Sequence, residues 1–266
     1  MYHYPDRDDL ITARGLESSE PYKGYWEKSE RRIFNVIKAT VGEELQRPDT
    51  WLMDAGSGWG RLLPVFGPLF DRVIAVEPDP ERLQRAIETA NQNGLAKKTF
   101  FVRSQIQEIL WPGESIDAII CSHIIQHVHT DLAPEILSKF RDLLKEDGIL
   151  FLTTSHSTAL RDFFAAGRLD GEKVSFSLSD LEEFNRLAMS RGDGLPVRFF
   201  TIDSVKRLLE EAGFAPIDVR VFQIMKRSAF LKALDIIYDR DPVANSVSFL
   251  RERLGTNMYI YARKRS

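Results

Sequence analysis

Short apolar runs alternate along this chain with segments whose apolar residues recur at helical spacing. Five of the runs lie in the first 155 residues: TWLMDA (50–55), RVIAVE (72–77), TFFVRS (99–104), IDAIICS (116–122) and GILFLTT (148–154). Their apolar residues do not alternate with polar ones, which is typical of strands buried on both faces of a parallel sheet. The pattern therefore predicts an open, doubly wound α/β sheet covered by helices on both faces.

The segments between these runs have the spacing of amphipathic helices. Three helices are predicted in the first part of the chain, over residues 26–41, 80–94 and 133–148. The last two end at Asn-Gly and Asp-Gly pairs, which tolerate the left-handed cap conformation. Residues 199–222 indicate a capped helix, a glycine stop and another strand, and residues 257–265 predict a final strand at an edge of the sheet.

The same pattern divides the chain into a core and its embellishments. Residues 1–24 are polar and aperiodic and are expected to be loose, whereas residues 25–155 carry the alternation. Residues 156–198 interrupt it, and residues 199–266 return to the sheet but contain a second interruption over 223–256. Both interruptions are longer than ordinary connections and contain helical patterns, so we expect helical insertions that form a lid over a substrate.

Three glycines at alternate positions follow the first strand, in WLMDAGSGWGRL (51–62). Fixing glycine costs backbone entropy, so this cluster indicates a loop that a ligand approaches closely, at the carboxyl ends of the strands. The segment after the loop is predicted to begin a helix, whose N-terminal N–H groups favour an anion. Glu77 ends the second strand about 20 residues later, where a carboxylate can bind a ribose diol. Together these features predict an adenosine-type cofactor.

The glycine pattern separates two classes of cofactor. The dinucleotide fingerprint G-x-G-x-x-G fails because its last position is Arg61. The form D-x-G-x-G-x-G, from Asp54 to Gly60, resembles instead the cofactor loop of class I, Rossmann-like S-adenosylmethionine-dependent methyltransferases. The resemblance extends in motif order over about residues 25–222 and the last strand, through VIAVEPDPERL, FVRSQIQEI, IDAIICSHIIQHV, LLKEDGILFLTT and FTIDSVKRLLEEAGF. It implies a mostly parallel seven-stranded sheet, S-adenosylmethionine as cofactor and S-adenosylhomocysteine as product.

The resemblance also implies a set of cofactor-binding residues. They are Asp54, Gly56, Ser57, Gly58, Glu77, Pro78, Gln105, Ile106 and Ser122. Asp54 and the glycine backbone would face the methionine moiety, Glu77 would accept from both ribose hydroxyls, and Ser122 would lie beside the sulfonium. The family commonly has Asp where this chain has Gln105. A neutral amide can still meet the exocyclic amine of adenine, so altered affinity is expected rather than lost binding.

Methyl transfer from a sulfonium requires the alignment of two reactants, and it requires a base only when the acceptor must lose a proton. His123 is the candidate for that proton-handling role, whereas His127 is expected to pack. No Cys or carboxylate completes a ligand set beside these histidines, so no metal site is expected. Four further residues are candidates for a lid or for the substrate side: Tyr22, Tyr25, Trp26 and His156. The three aromatic ones could equally staple the first helix.

The overall charge does not favour nucleic acid as a partner. The 266 residues carry 36 basic and 39 acidic side chains, for a formal net charge of −3, and neither insertion is strongly basic. The single cysteine, Cys121, suits a reducing cytoplasm, and no signal peptide or membrane-spanning run is apparent. The expected partner is therefore a small-molecule substrate in the cytoplasm, with no membrane, and a nucleic-acid partner is disfavoured.

Several functions stay open because the methyl acceptor cannot be read from cofactor motifs. The favoured function is S-adenosylmethionine-dependent methylation of a small molecule. The alternatives are methylation of a protein or tRNA, a non-catalytic cofactor-binding subunit, a cyclopropane fatty acid synthase and a nicotinamide oxidoreductase. None of the motifs specifies an oligomeric state.

Overall fold

The structure is a computed structural model that describes residues 27–45, 48–170, 173–190, 194–222, 252–253 and 255–265. The strands are β1 (Trp51–Ala55), β2 (Arg72–Val76), β3 (Thr99–Val102), β4 (Ile116–Ser122), β5 (Leu144–Ser155), β6 (Phe163–Asp170), β7 (Lys173–Ser179), β8 (Leu195–Phe199), β9 (Phe214–Phe222) and β10 (Asn257–Lys264). The helices are α1 (Glu27–Glu44), α2 (Leu63–Phe66), α3 (Pro80–Gln92), α4 (Leu132–Leu143), α5 (Leu181–Met189) and α6 (Ile202–Glu211).

Seven of these strands form the main sheet, in the order β3-β2-β1-β4-β5-β10-β9. The first five are parallel, and β10 is antiparallel to both of its neighbours. The chain passes from β1 outward to β2 and β3 and then returns to the opposite side of β1 as β4. This reversal is the switch point at which a doubly wound sheet opens its ligand crevice. The predicted mostly parallel, seven-stranded α/β sheet is confirmed.

Helices cover both faces of this sheet. Apolar side chains of α1, α2 and α3 pack on one face with Phe151 and Tyr259, and those of α4 and α6 pack on the other face with Phe214. Water is thus excluded from both sides of the central strands, which explains their unbroken apolar character. The left-handed glycines Gly94 and Gly213 follow α3 and α6, with φ of +70° and +85°, as a helix stop requires.

The helix predicted over residues 133–148 is shorter than expected. It ends at Leu143, and residues 144–148 already belong to β5. Leu144 pairs with Ile116, and an irregularity in the ladder then brings Ile149 opposite Ala118. Leu143 and Leu144 are both fully buried, so the chain turns into the sheet to keep this apolar pair inside rather than continuing to the Asp-Gly pair.

The last strand does not lie at an edge, and that prediction is wrong. β10 runs between β5 and β9, and residues 257–262 are buried. Its alternation is of aliphatic with aromatic side chains rather than of apolar with polar ones. On one face Tyr259 and Tyr261 pack against Phe151, and on the other face Met258, Ile260 and Ala262 belong to the second core cluster, with α4 and α6.

The prediction that the insertion over residues 156–198 is helical is also largely wrong. The segment forms a three-stranded antiparallel sheet with the order β7-β6-β8, and α5 is the helix that it carries among the described residues. The run KVSFSLS (173–179) alternates apolar residues with serine, which is the period of a strand. Phe163 and Phe199 stack across the small sheet with ring centroids 4.4 Å apart.

The small sheet is attached beside the carboxyl ends of the main strands. Asn185 of α5 accepts a hydrogen bond from the Thr130 backbone N–H at 3.0 Å. The carboxylate of Asp162 forms an ion pair with Arg198 at 2.9 Å and accepts from the Thr201 N–H at 2.8 Å. These contacts place β8 next to the loop that follows β4.

Several predictions lie outside the described residues. They concern the loose segment 1–24, the aromatic candidates Tyr22, Tyr25 and Trp26, and nearly all of the second insertion. Within the described ranges, no helix combines the length and the apolarity needed to cross a membrane.

Candidate active site

The loop after β1 is folded tightly onto the end of β2. The N–H groups of Gly56 and Ser57 both donate to the Val76 carbonyl at 2.9 Å. Gly58 has φ of +53°, and a Cβ built on it meets nothing within 4 Å, so its side faces open space. Gly60 has φ of +76°, and its Cβ would lie 3.0 Å from the Ala86 Cα of α3. Gly58 therefore keeps space for a ligand, whereas Gly60 allows close packing of the protein.

The segment after the loop does not supply the helix N-terminus that the sequence predicted. α2 is one turn of four residues, with a proline in its first turn, and a helix this short has little dipole. Gly56 lies where the glycine loop contacts the loop that follows β4. A Cβ on Gly56 would lie 2.5 Å from Cδ1 of Ile124, a residue of that second loop. The glycine loop and the residues beyond β4 thus border the same crevice.

Glu77 is buried at the end of β2 and is hydrogen-bonded to the glycine loop. One carboxylate oxygen accepts from the Gly58 N–H at 2.9 Å, and the other accepts from the Asp79 N–H at 3.1 Å. Burial raises the pKa of Glu77, although nearby Arg82 and the two N–H groups oppose the shift. Each carboxylate oxygen can accept a second hydrogen bond, so a diol can bind without displacing the loop.

Asp54 lies at the centre of the crevice and is only 2% exposed. Its Oδ2 has no hydrogen-bond partner among the described residues, and neither has the hydroxyl of Ser57. Burial raises the pKa of Asp54 to about 7, with Arg61 opposing the shift and Glu77 adding to it. Buried polar atoms without partners are rare, and here they occur at the carboxyl end of β1 and in the loop that contains Gly58. These donors and acceptors fit a polar, cationic ligand such as S-adenosylmethionine.

Two large side chains of the loop have structural partners. Arg61 pairs with the buried carboxylate of Glu30 from α1. Trp59 packs against α3, with the guanidinium groups of Arg82 and Arg85 5.8 and 4.8 Å from the centre of its ring. Trp59 therefore anchors the loop to the protein.

The candidate adenine-side residues follow β3 at the same edge of the sheet. Gln105 precedes a short 3₁₀ turn, Ile106–Glu108, and its side-chain oxygen accepts from the Gln107 amide at 2.6 Å. Ile106 is buried, whereas Pro78, beyond the end of β2, is exposed. These positions are compatible with the predicted roles but do not test them.

His123 stands where β4 ends and has an unusual backbone conformation. Its φ is +57°, a left-handed value that few residues other than glycine adopt. Its N–H donates to the Thr153 carbonyl at 2.9 Å, and the preceding Ser122 hydroxyl lies 2.9 Å from that of Thr153. Burial lowers the pKa of His123 to about 4, assisted by the positive charge of Arg61. The imidazole is therefore neutral at pH 7.

Sequence reasoning missed Gln126, which connects His123 to the small sheet. The Nδ1 of His123 lies 3.1 Å from Gln126 Oε1, and Gln126 Nε2 lies 3.1 Å from His127 Nε2. The Nδ1 of His127 lies 2.6 Å from the Pro196 carbonyl of β8. His127 does pack, as expected, but through these polar contacts. The one signal in the sequence is that Gln126 lies three residues after His123, within an apolar run.

His156 connects β5 to the residues before β10. Its Nδ1 donates to the Gly255 carbonyl at 2.9 Å, and its N–H donates to the Thr256 carbonyl at 2.7 Å. The residue is 4% exposed, and burial lowers its pKa. These contacts give His156 a structural role and leave its candidate place on the substrate side untested. Among the described residues, no group of three or more His, Cys, Asp or Glu side chains could hold a metal ion.

Comparison with known proteins agrees with this crevice. A family model described as a methyltransferase domain matches residues 25–219. The ubiquinone biosynthesis O-methyltransferase of Dinoroseobacter shibae is 25% identical over 191 residues, which are 70% of each chain.

Two solved structures show how widely the fold is shared. The 1,6-didemethyltoxoflavin-N1-methyltransferase of Burkholderia thailandensis, solved with 1,6-didemethyltoxoflavin and S-adenosylhomocysteine, is 20% identical with a TM-score of 0.58, and the match covers 98% of this chain and 87% of that one. The [4+2]-cyclase SpnF is 16% identical with a TM-score of 0.60, over 97% of this chain and 94% of its own. The likeness to structures shows the fold alone, while the family model spans most of the sequence. This chain belongs to the S-adenosylmethionine-dependent methyltransferases.

Proposed function

We propose that this chain methylates a small molecule at an oxygen or nitrogen that carries a proton, and that His123 accepts this proton. The observation that carries the proposal is the left-handed backbone conformation of His123, which directly follows β4 at the switch point of the sheet. A non-glycine residue in this conformation costs about 1–2 kcal/mol. Such strain concentrates at functional sites, where the geometry of a side chain matters more than its stability.

The cofactor half of the crevice comprises Asp54, the loop 56–60 and Glu77. The Glu77 carboxylate would hold the ribose hydroxyls, and the partnerless Oδ2 of Asp54 would face the methionine moiety beside Gly58. Gln105 and the Ile106 backbone would meet the adenine edge, next to Pro78, and Ser122 would lie near the reacting sulfur. S-adenosylmethionine supplies, when bound, a methyl carbon whose bond to sulfur breaks as the acceptor lone pair forms the new bond.

The acceptor half comprises His123, Gln126, His127 and β8. His123 would receive the acceptor's proton on a ring nitrogen and later release it to solvent. Its pKa of about 4 makes it a weak base, but it is wholly unprotonated and ready at pH 7. A weak base suffices because a proton becomes strongly acidic once its oxygen or ring nitrogen is alkylated.

The acceptor is proposed to be a small, planar compound with an acidic hydroxyl or ring N–H. The small sheet borders the acceptor half, and the chain has no excess of basic residues that would attract nucleic acid. The names of the relatives support this class, since one is an O-methyltransferase of ubiquinone biosynthesis and one methylates N1 of 1,6-didemethyltoxoflavin.

The test has two stages. Calorimetric titration with S-adenosylhomocysteine and with NAD is expected to show binding of the former only, and tighter binding of NAD would contradict the proposal. A screen with labelled S-adenosylmethionine against phenols, enols, N-heterocycles and metabolite extracts should then yield a small product one methyl group heavier. Label found only in protein or tRNA would contradict the acceptor class, and binding without any transfer would indicate a non-catalytic subunit.

A further inference from the structure

A continuous chain of hydrogen bonds links β8 of the small sheet to the ring of His123. It runs from the Pro196 carbonyl through His127 and the amide of Gln126 to His123 Nδ1, with successive distances of 2.6, 3.1 and 3.1 Å. Gln126 and His127 are 6% and 4% exposed, so water does not compete for these bonds. The Arg198 N–H of β8 also donates to the Gln126 backbone carbonyl at 2.8 Å, which holds the two segments together.

The position of every proton in this chain follows from the backbone groups at its two ends. The Ser155 N–H can only donate, and it lies 2.7 Å from one side-chain atom of Gln126, so that atom is the oxygen. The Pro196 carbonyl can only accept, so His127 carries its proton on Nδ1 and its Nε2 is an acceptor. The Gln126 NH₂ group must therefore face His127. Both ends require the same orientation of the amide.

The proton of His123 is then determined as well. Since Gln126 presents its oxygen, His123 Nδ1 must donate to it, and a neutral imidazole carries only one N–H. The Nε2 of His123 is left with its lone pair. The opposite tautomer would place the lone pair of Nδ1 against the oxygen of Gln126, and a flipped amide would lose the Ser155 N–H.

We propose that Gln126 is a positioning residue that holds His123 as its Nδ1–H tautomer, so that Nε2 is the atom that takes the proton of the acceptor, and that β8 sets this arrangement through His127. The catalytic part rests on the proposed function, whereas the tautomer does not. Arg61 faces His123, and Arg82 acts with His123 on His127. These positive charges and burial keep both rings neutral at pH 7. A neutral imidazole has two possible tautomers, whereas a protonated one has none to choose between.

The direct test is ¹⁵N NMR of full-length protein labelled at histidine, with the His123 signals assigned by their loss in His123→Asn. In the unaltered protein, His123 Nδ1 should have the shift of a protonated ring nitrogen and Nε2 that of an unprotonated one. The opposite pattern would overturn the proposal. This readout needs no substrate, so it separates failure of the tautomer from failure of the proposed reaction.

Variants at position 126 test what sets the tautomer. Gln126→Leu removes the oxygen, and the His123 signals should shift toward a mixture or toward the Nε2–H form. Once the acceptor is known, kcat should fall about tenfold or more, as part of the roughly 10²–10⁴-fold effect of a positioned base, with KM and S-adenosylhomocysteine affinity little changed. An unchanged tautomer and an unchanged kcat would each contradict the role of Gln126.

Two further variants keep the test decisive. Gln126→Glu retains an acceptor for both His123 Nδ1–H and the Ser155 N–H, so it should keep the His123 tautomer, restore much of kcat and raise the lower pKa of the pH–rate profile. It loses the NH₂ donor to His127, whose Nε2 should then tend to gain a proton and donate to the new carboxylate. Gln126→Glu also provides the test if Gln126→Leu does not fold. If His123 titrated at the same pH in Gln126→Glu as in the unaltered protein, the contact between residue 126 and His123 would be contradicted. Asn185→Leu is the matched control, since it removes another contact between the small sheet and the loop after β4 and should leave the His123 signals unchanged.

Discussion

The cofactor half and the acceptor half of the crevice are both deeply buried, but burial has opposite consequences for their titratable groups. In the cofactor half it raises the pKa values of Asp54, to about 7, and of Glu77. In the acceptor half it lowers the pKa values of His123 and His127 to about 4. The cause is the same in each case, because removal of water disfavours whichever form is charged.

The two halves of the crevice therefore suit ligands of different charge. Burial disfavours the charged forms of the acids in the cofactor half, so a positively charged ligand would stabilise them as carboxylates. The imidazoles of the acceptor half are already neutral and require no partner charge. The first half is built from residues close in sequence, whereas the second depends on a strand about 70 residues away from His127.

The largest expected effect is on the acceptor half. His123→Asn keeps a residue type that tolerates the left-handed backbone, so stability should be preserved while kcat falls by roughly 10²–10⁴-fold. Steady-state kinetics with the identified acceptor, beside a thermal melt, measures both. His129→Asn in the same loop is the control and should be nearly silent. An active His123→Asn protein would mean that the acceptor loses no proton to this residue.

The next effect is on the cofactor half. Glu77→Ala should weaken S-adenosylhomocysteine binding by about 1.5–3 kcal/mol, the scale of charge-assisted hydrogen bonds, or roughly 10- to 150-fold in Kd. Calorimetric titration measures this, with Glu81→Ala on the exposed side of α3 as the control. If a folded Glu77→Ala protein bound with an unaltered Kd, Glu77 would not belong to the site.

A pair of glycine variants separates ligand space from protein packing. Gly60→Ala places a Cβ 3.0 Å from the Ala86 backbone, and overpacking of this kind costs about 1–3 kcal/mol of unfolding free energy. Both variants carry the strain of a left-handed φ, about 1–2 kcal/mol, but the Cβ of Gly58→Ala meets no protein atom. Gly58→Ala should therefore lose less stability than Gly60→Ala and should weaken S-adenosylhomocysteine binding. Urea denaturation and calorimetry applied to both variants distinguish these outcomes. Equal losses of stability would refute the division.

The smallest effect concerns pH. The folded protein keeps a proton on Asp54 up to about pH 7, whereas the unfolded chain releases it near 3.8. The native state therefore binds more protons between these values, and its stability falls as pH rises through them. Asp54→Asn removes this loss of stability with rising pH. The melting temperature of the variant, relative to that of the unaltered protein, should therefore increase between about pH 5 and pH 8. Parallel curves for the variant and the unaltered protein would contradict the shift.

Much of the central fold could be predicted because its strands are buried on both faces. The runs over residues 50–55, 72–77 and 116–122 are mostly apolar, and β4 covers the predicted residues Ile116–Ser122. The candidate residues of the cofactor half could be predicted for a related reason. Asp54, Gly58 and Glu77 lie close together in the sequence, because they belong to two adjacent strands and the connection between them. These signals need no knowledge of distant contacts.

The acceptor half could not be predicted in the same way. The role of Gln126 depends on the Ser155 N–H and the Pro196 carbonyl, two backbone groups that leave no mark in the composition of a motif. The small sheet was missed for a different reason. Residues 173–179 have the serine alternation of a strand, but residues 181–189 beside them have helical periodicity, so the segment carries both patterns.

The position of β10 has a consequence for biosynthesis. β9 pairs with β10 and not with β5, so residues 214–222 have no edge to join until residues 257–264 have left the ribosome. Gly255 and Thr256, which hold His156, arrive at the same moment. The edge of the sheet at β5 thus lacks its native partner while residues 156–256 are being made. An unpaired strand edge of this kind can pair with other chains.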